Sequence, residues 1–414
     1  HKMNGFFGLD IQHSFLLLNV ALFGLLLWYY QKYKTTSKFN QTTLILLLWL
    51  ISAICGLLYL DSEKFRIGDG QIKYSSVFIV FALFLLYVWP ILVKQDANKK
   101  VVFKWNALLY LSSLLVAISA YLPFVENCYH LFGTNAFSKM GTFHDEMLNK
   151  DSYAHLSILG SFFSRMLLNF SFITPALFVN YMHNDNKKRN KFISIGLVLA
   201  LLNHSLSSFS VGARYVVVQD FALYLFLYLI VRHSISHEVN KTLVKYFGAF
   251  FTMLALGVAL ITIVRFGTGG SSEGVSDSLF RYIGEGFNNC YTDMMYVKNH
   301  TYGLHMFRNM FGMTPDMLSM ITGIRMFVFY TFIGDFICDF DILPSAVIFL
   351  LISTVFYMGV FKKVKLTFVG ILFTTIYASV FATGFMYVPF MNVFNALYYF
   401  GGFVILYFIF NKKV

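Results

Sequence analysis

Apolar runs of about 17–22 residues recur along almost the whole chain, and a helix needs roughly 20 such residues to cross the hydrocarbon core of a bilayer. Eleven runs stand out: Ser14–Tyr30, Thr42–Tyr59, Ser75–Val93, Trp105–Leu122, Phe162–Tyr181, Phe192–Phe209, Tyr215–Val231, Leu243–Val264, Ile342–Val360, Leu366–Met386 and Met391–Phe410. Inside lipid every backbone polar group needs an internal partner, so runs this long fold as helices. A β-barrel would show ten-residue stretches of alternating polarity, and none is present. Met326–Cys338 is also apolar but too short to span, and reads as a re-entrant or interfacial helix.

Composition agrees. Charged residues are 13% of the chain and hydrophobic residues 57%, against about 25% charged in soluble domains. That is too little charge to clothe a soluble enzyme, and too much apolar surface for a disordered chain or a nucleic-acid binder. The net charge of +12 is explained by its distribution. Lys and Arg concentrate in the short loops after the odd-numbered runs and in the C-terminal tail, where the acids are only Asp96, Asp185 and Glu238. The positive face is cytoplasmic, which puts the N-terminus outside and the C-terminus inside. Trp28, Trp89 and Trp105 fall at cytoplasmic ends as interfacial anchors. His1-Lys2-Met3 reads as a tag remnant before a native Met3, with no cleavable signal peptide expected.

The whole of 1–414 therefore reads as a single transmembrane domain. The outer loops, 123–161 and especially 265–341, hold most of the residues outside the spans. The second is rich in Phe and Tyr and is expected to carry short packed helices rather than disorder. No internal repeat is visible, which argues against a repeat-built transporter. The four cysteines lack CxxC spacing, and Cys128 with Cys290 is the one pair expected on the oxidising side.

Five arginines lie at or near outer boundaries: Arg165, Arg214, Arg265, Arg281 and Arg325. They run against the positive-inside trend, and ionisable groups near hydrocarbon point to function. Guanidinium groups bind phosphate oxygens through paired donors. Snorkelling, or pairing with Asp220 or Glu285, is the ordinary alternative. Three carboxylates sit among apolar and aromatic neighbours: Glu285, four residues after Arg281 and flanked by Gly284 and Gly286, and Asp335 and Asp339, themselves four apart. Burial would bring such an acid toward general-base range; helix capping or an arginine partner is the alternative. The Asn203-His204-Ser205 patch at the end of the sixth run suits helix–helix hydrogen bonding or contact with a site. Gly267–Ser272 is glycine-rich but lacks a P-loop lysine and reads as a flexible connection. His130, His144, His155 and His305 show no metal-ligand spacing.

The serine-rich end of the sixth run with Arg214, Tyr282-Ile283-Gly284-Glu285 with Asn288, and Thr331-Phe332-Ile333-Gly334-Asp335 with Asp339 together resemble the bacterial oligosaccharide repeat-unit polymerases of the Wzy class. The topology is similar over the whole chain. Asp341 stands where the family pattern has a glycine. The resemblance implies an all-α polytopic, GT-C-like glycosyltransferase of the inner membrane with its active site facing the periplasm. Its implied substrates are two undecaprenyl-diphosphate-linked oligosaccharides, and its implied product is O-antigen or capsular polysaccharide. Membrane lipid and a chain-length regulator are the further partners, with no nucleic acid, metal or other cofactor. It implies Glu285 and Asp335 as catalytic, with Glu285 preferred as base. Arg214, Arg265, Arg281 and Arg165 bind diphosphate, and His204, Tyr282, Asn288, Asp339 and Arg325 contact substrate. A ligase passing glycan to lipid A core, and a lipid-linked oligosaccharide flippase, are the alternatives.

Overall fold

The computed structural model describes residues 11–35, 39–60, 72–93, 100–102, 106–133, 155–171, 173–183, 190–210, 215–267, 275–308, 310–326, 330–361 and 365–385. They form fourteen α-helices: α1 (Ile11–Tyr33), α2 (Gln41–Leu60), α3 (Tyr74–Val93), α4 (Ala107–Gly133), α5 (Ile158–Asn169), α6 (Ile173–Met182), α7 (Lys191–Ser210), α8 (Tyr215–Val231), α9 (His237–Gly267), α10 (Val275–Thr292), α11 (Pro315–Thr322), α12 (Phe332–Phe340), α13 (Ile342–Phe356) and α14 (Phe368–Thr383). The only strands among the described residues are a two-residue parallel pair, β1 (Lys100–Val101) and β2 (Lys365–Leu366).

Among the described residues six stretches are long and apolar enough to cross a membrane: Gln12–Tyr33, Gln41–Leu60, Tyr74–Val93, Ala107–Leu131, Lys191–Ser208 and Ile342–Val360. The chain is thus a multi-pass helical membrane protein. Several expectations need adjustment. The fifth run is not one helix: it is the sharply bent pair α5 and α6, and counting that pair as one span gives seven. The fourth does not stop before Pro123; α4 carries the proline inside it and continues to Gly133. Neighbouring groups satisfy a backbone freed by proline in such helices. The seventh and tenth runs form shorter apolar helices, Val216–Val231 and Phe368–Val380. The eleventh, 391–410, lies outside the described residues. The helix expected at Met326–Cys338 is α12, shifted to Phe332–Phe340 because Thr331 caps it, its Oγ1 accepting from the Gly334 N–H at 3.1 Å.

The described residues fall into two compact units. The first holds α1–α3 and α10–α13. Its core is aromatic: Phe287 of α10 lies 5.6 Å from Phe23 and 5.5 Å from Trp49, while Phe332 of α12 lies 5.6 Å from Trp49 and 5.1 Å from Tyr87. Rings at such separations, mostly edge to face, are worth about 0.5–1.5 kcal/mol a pair beyond area burial. Phe23, Trp49 and Tyr87 all lie well inside the spans α1, α2 and α3. Two parts of the segment read as an outer loop, α10 and α12, therefore pack into the bundle. Polar ties fix α10: Ser52 Oγ donates to the Ile283 carbonyl at 2.6 Å, Asn288 Nδ2 to the Gly56 carbonyl at 2.9 Å, and Tyr291 Oη to Asn19 Oδ1 at 2.9 Å.

The second unit holds α4–α9, the strand pair and the start of α14. Gly196 of α7 lets that helix close on Ala117 of α4, where a methyl group would sit 2.6 Å from the alanine Cβ. Small residues at a crossing are how helices gain contact in lipid. The same unit contains a buried polar chain: His155 Nε2 with Asn127 Oδ1 at 2.8 Å, Asn127 Nδ2 to Asn203 Oδ1 at 3.3 Å, and Asn203 Nδ2 to Ser164 Oγ at 3.4 Å. Burial, with the His130 ring stacked 4.4 Å away, pushes the His155 pKa down to about 4. An apolar cavity of about 670 Å³ lies between α6, α7, α8 and α9, walled by residues such as Phe178, Leu201, Val217 and Phe247.

Candidate functional site

Asp335 and Asp339 face one side of α12, one turn apart, and both are buried. The segment after the 3₁₀ turn Met294–Tyr296 folds over that side. Asp339 is its fastener. One carboxylate oxygen accepts the Thr301 hydroxyl, the Gly303 N–H at 3.0 Å and the His305 N–H at 3.1 Å; the other accepts the Met306 N–H at 2.9 Å. The Asp339 carbonyl takes the Tyr302 N–H at 2.9 Å. A carboxylate so occupied holds a turn in shape. That turn is tight enough to force Tyr302 to φ 50° and Gly303 to φ 95°.

The turn delivers His305 to Asp335. The imidazole Nε2 lies 2.7 Å from Asp335 Oδ1, and the two side chains are 2% and 1% exposed. The other ring nitrogen, Nδ1, is buried with no hydrogen-bond partner among the described residues. A histidine oriented by a buried acid, with its far nitrogen unengaged, is the arrangement that general-base catalysis uses. Three residues on, the partly buried Arg308 feels the same carboxylate: burial lowers its pKa from the ordinary value and Asp335 opposes the shift.

The preferred base, Glu285, is otherwise engaged. Arg281 Nε donates to Glu285 Oε2 at 3.2 Å, one turn apart on α10, with the acid 7% and the arginine 41% exposed. Both belong to the first unit. Gly284 lets backbone approach closely. It lies against the backbone of Cys55 and Gly56, and a methyl group there would overlap both. Asn288 is fully buried at the same crossing, and Tyr282 is partly buried beside it on α10.

Arg325 lies 3.6 Å from Asp293, a buried acid just past α10. The Tyr330 hydroxyl is 3.3 Å from the same carboxylate. Burial raises the Asp293 pKa and the Arg325 guanidinium draws it back. In the second unit, His204 Nδ1 sits 2.9 Å from Asp220 Oδ1, and Ser205 Oγ donates to Asp220 Oδ2 at 2.6 Å. Arg165 is exposed on α5. Arg214 lies outside the described residues, and Arg265 is on α9 with its side chain outside them. All four cysteines are free, Cys128 and Cys290 included. No group of three or more His, Cys, Asp or Glu side chains among the described residues is placed to hold a metal ion.

Sequence reading singled out Asp335 and missed His305, Arg308 and Asp293. His305 is read there only for metal spacing. The available signal was a histidine and arginine three residues apart in the same aromatic segment as the paired aspartates. Comparison with protein-family models, curated proteins and solved structures finds no match.

Proposed function

We propose that the chain polymerises undecaprenyl-diphosphate-linked oligosaccharide repeat units into O-antigen or capsular polysaccharide at the periplasmic face of the inner membrane. The observation that carries the reading is the buried His305–Asp335 pair with His305 Nδ1 unengaged. In the reaction an acceptor sugar hydroxyl attacks the anomeric carbon of the donor glycan. The new C–O bond forms as the bond to the lipid diphosphate breaks. His305 Nδ1 takes the hydroxyl proton, and Asp335 steadies the imidazolium that results. Charge developing on the departing diphosphate is met by arginine, with Arg281 the candidate in the unit that holds the pair. Because the pair is buried, the side chains covering Nδ1 move aside on binding, a gating step common to such sites, while Asp339 keeps the turn in place. Glu285 then serves as the partner of Arg281 rather than as the base.

The test is polymerisation in vitro with purified lipid-linked repeat units. A general base contributes about 10²–10⁴-fold to rate. His305→Gln and Asp335→Asn are expected to fall by that order while still binding donor, and Glu285→Gln to stay within about tenfold of the parent. A dead Glu285→Gln beside active His305 and Asp335 variants returns the base to Glu285. In a deletion strain, loss of long chains with single repeats retained supports a polymerase. Loss of every repeat from lipid A core points to the ligase or flippase.

A further inference from the structure

The cavity of about 670 Å³ in the second unit runs along α8 from Val217 to Val231 and along α9 from Leu243 to Val258. At 1.5 Å per residue that is about 21 Å. Half of a bilayer's hydrocarbon core is about 15 Å deep, so the cavity is long enough to take a lipid chain along its length. Its far end is closed: Leu131, Leu206, Val217 and Phe251 form a buried cluster with Val258 packed against it. Its side is open, where the lining residues Val218, Phe221 and Val244 are exposed. The wall is almost wholly apolar. Two of its hydroxyls are taken up by backbone, Tyr224 Oη donating to the Leu201 carbonyl at 3.0 Å and Thr252 Oγ1 to the Gly248 carbonyl at 2.8 Å. Such a wall suits hydrocarbon and not a sugar or a phosphate.

The near end is cationic. Lys241 and Lys245 are exposed and one turn apart on α9, on a stripe that continues through Gly248 and Thr252 of the wall. Arg232 directly follows Val231 at the same end, its N–H on the Tyr228 carbonyl at 2.8 Å. The single acid between 221 and 264 is Glu238, so three cations outnumber it. We infer that the cavity holds one acyl chain of an anionic phospholipid, with the headgroup phosphate against Lys241 and Lys245. The closed apolar end and the basic open end fix the direction of entry: tail first, headgroup last. Basic pockets between membrane helices select anionic headgroups in this way. An undecaprenyl tail, much longer than an acyl chain, overfills a cavity of this size with a closed end. The lipid supplies packing that α8 and α9 do not give one another. The inference is independent of the glycosyl-transfer reading.

The experiment is native mass spectrometry of the full chain, purified in detergent and titrated with dioleoyl phosphatidylglycerol, dioleoyl phosphatidylcholine or undecaprenyl phosphate. A basic group near an anionic headgroup is worth about fivefold in binding. The parent is expected to prefer phosphatidylglycerol over phosphatidylcholine by tenfold or more, on the order set by two such groups. The double variant Lys241→Gln, Lys245→Gln should lose that preference and bind phosphatidylcholine as the parent does. Gly248 lines the cavity, and nothing lies within 4 Å of a Cβ added there. A buried methylene is worth about fourfold, so Gly248→Leu, whose side chain occupies the tail's path, should weaken both phospholipids by about tenfold or more. If Gly248→Leu does not fold, Gly248→Met makes the same comparison. A parent that binds the two phospholipids alike overturns the inference, as does a lysine variant that keeps the preference. A Gly248→Leu protein that binds both as the parent does puts the lipid elsewhere and overturns it too. Undecaprenyl phosphate binding more tightly than phosphatidylglycerol, and lost in Gly248→Leu, gives the cavity to a polyprenyl lipid instead.

Discussion

Asp341 joins α12 to α13 with φ 69° and ψ 174°, a backbone region that side chains avoid and glycine tolerates. The glycine expected at this position in the family pattern has a plain physical reason. Here an aspartate holds the turn instead, its Oδ1 accepting the Ile342 N–H at 2.6 Å. The strain is of order 1–3 kcal/mol. Glycine would remove it, at a cost of about 0.5–1 kcal/mol in chain entropy and the lost cap. Asp341→Gly is therefore expected to stabilise the fold slightly, by about 1 kcal/mol, and to raise the thermal midpoint. Asp341→Ala keeps the strain, loses the cap and lowers it. A melt of both variants in detergent decides; an alanine variant as stable as the glycine one would show that the turn is unstrained. Legibility at this scale followed chain distance. Arg281 and Glu285 are four apart, so their pairing could be read from helical spacing. His305 meets Asp335 across 30 residues of sequence, through a turn that exists only because Asp339 gathers its N–H groups. No local pattern announces a contact made that way.

Helix α10 shows what was hidden one level up. Its polarity and its position between spans put it in an outer loop on sequence grounds. In the fold its glycine and serine contacts draw it against α2, with Ser52, Gly56, Gly284 and Asn288 forming the seam. Between helices in lipid there is little hydrophobic drive, so close approach and interhelical hydrogen bonds decide the pairing. The aromatic face carrying Phe287 then completes the core among Phe23, Trp49 and Phe84. The long apolar helices were legible because their signal is length and hydropathy alone. A half-polar helix that packs by small residues carries no such signal. The seam makes a sharp expectation. In Gly284→Ala the new methyl would overlap backbone, which cannot swing aside as a side chain can. Overpacking typically costs about 1–3 kcal/mol and more where backbone must shift. The variant should melt well below the parent or fail to accumulate in the membrane. Gly248→Ala on α9, where nothing lies within 4 Å of the added methyl, is the matched control and should be neutral. Equal stability of the two variants would mean that α10 does not close on α2.

At the scale of the molecule, sidedness comes from charge. Basic residues crowd the connections after α1, α3, α6 and α8, and the positive-inside rule assigns those to the cytoplasm. On the orientation proposed here, Ser234, just past α8, faces the cytoplasm. Helix α9 is 31 residues long, which at 1.5 Å per residue is about 46 Å and more than a bilayer core. A crossing by α9 is part of the proposed orientation, which puts His305 and Asp335, with the rest of the stretch between α9 and α13, on the opposite side. Met320 on α11 is 80% exposed and reports on that stretch without touching the candidate site. In a background with Cys55, Cys128, Cys290 and Cys338 replaced, Met320→Cys should react with an impermeant maleimide in intact spheroplasts. Ser234→Cys should react only after permeabilisation. The reverse pattern would turn the His305 turn toward the cytoplasm, where a glycan already carried to the outer leaflet cannot reach it. The polymerase reading would then fail whatever the pairing of His305 and Asp335, because the chemistry needs the acceptor and the base on one side of the membrane.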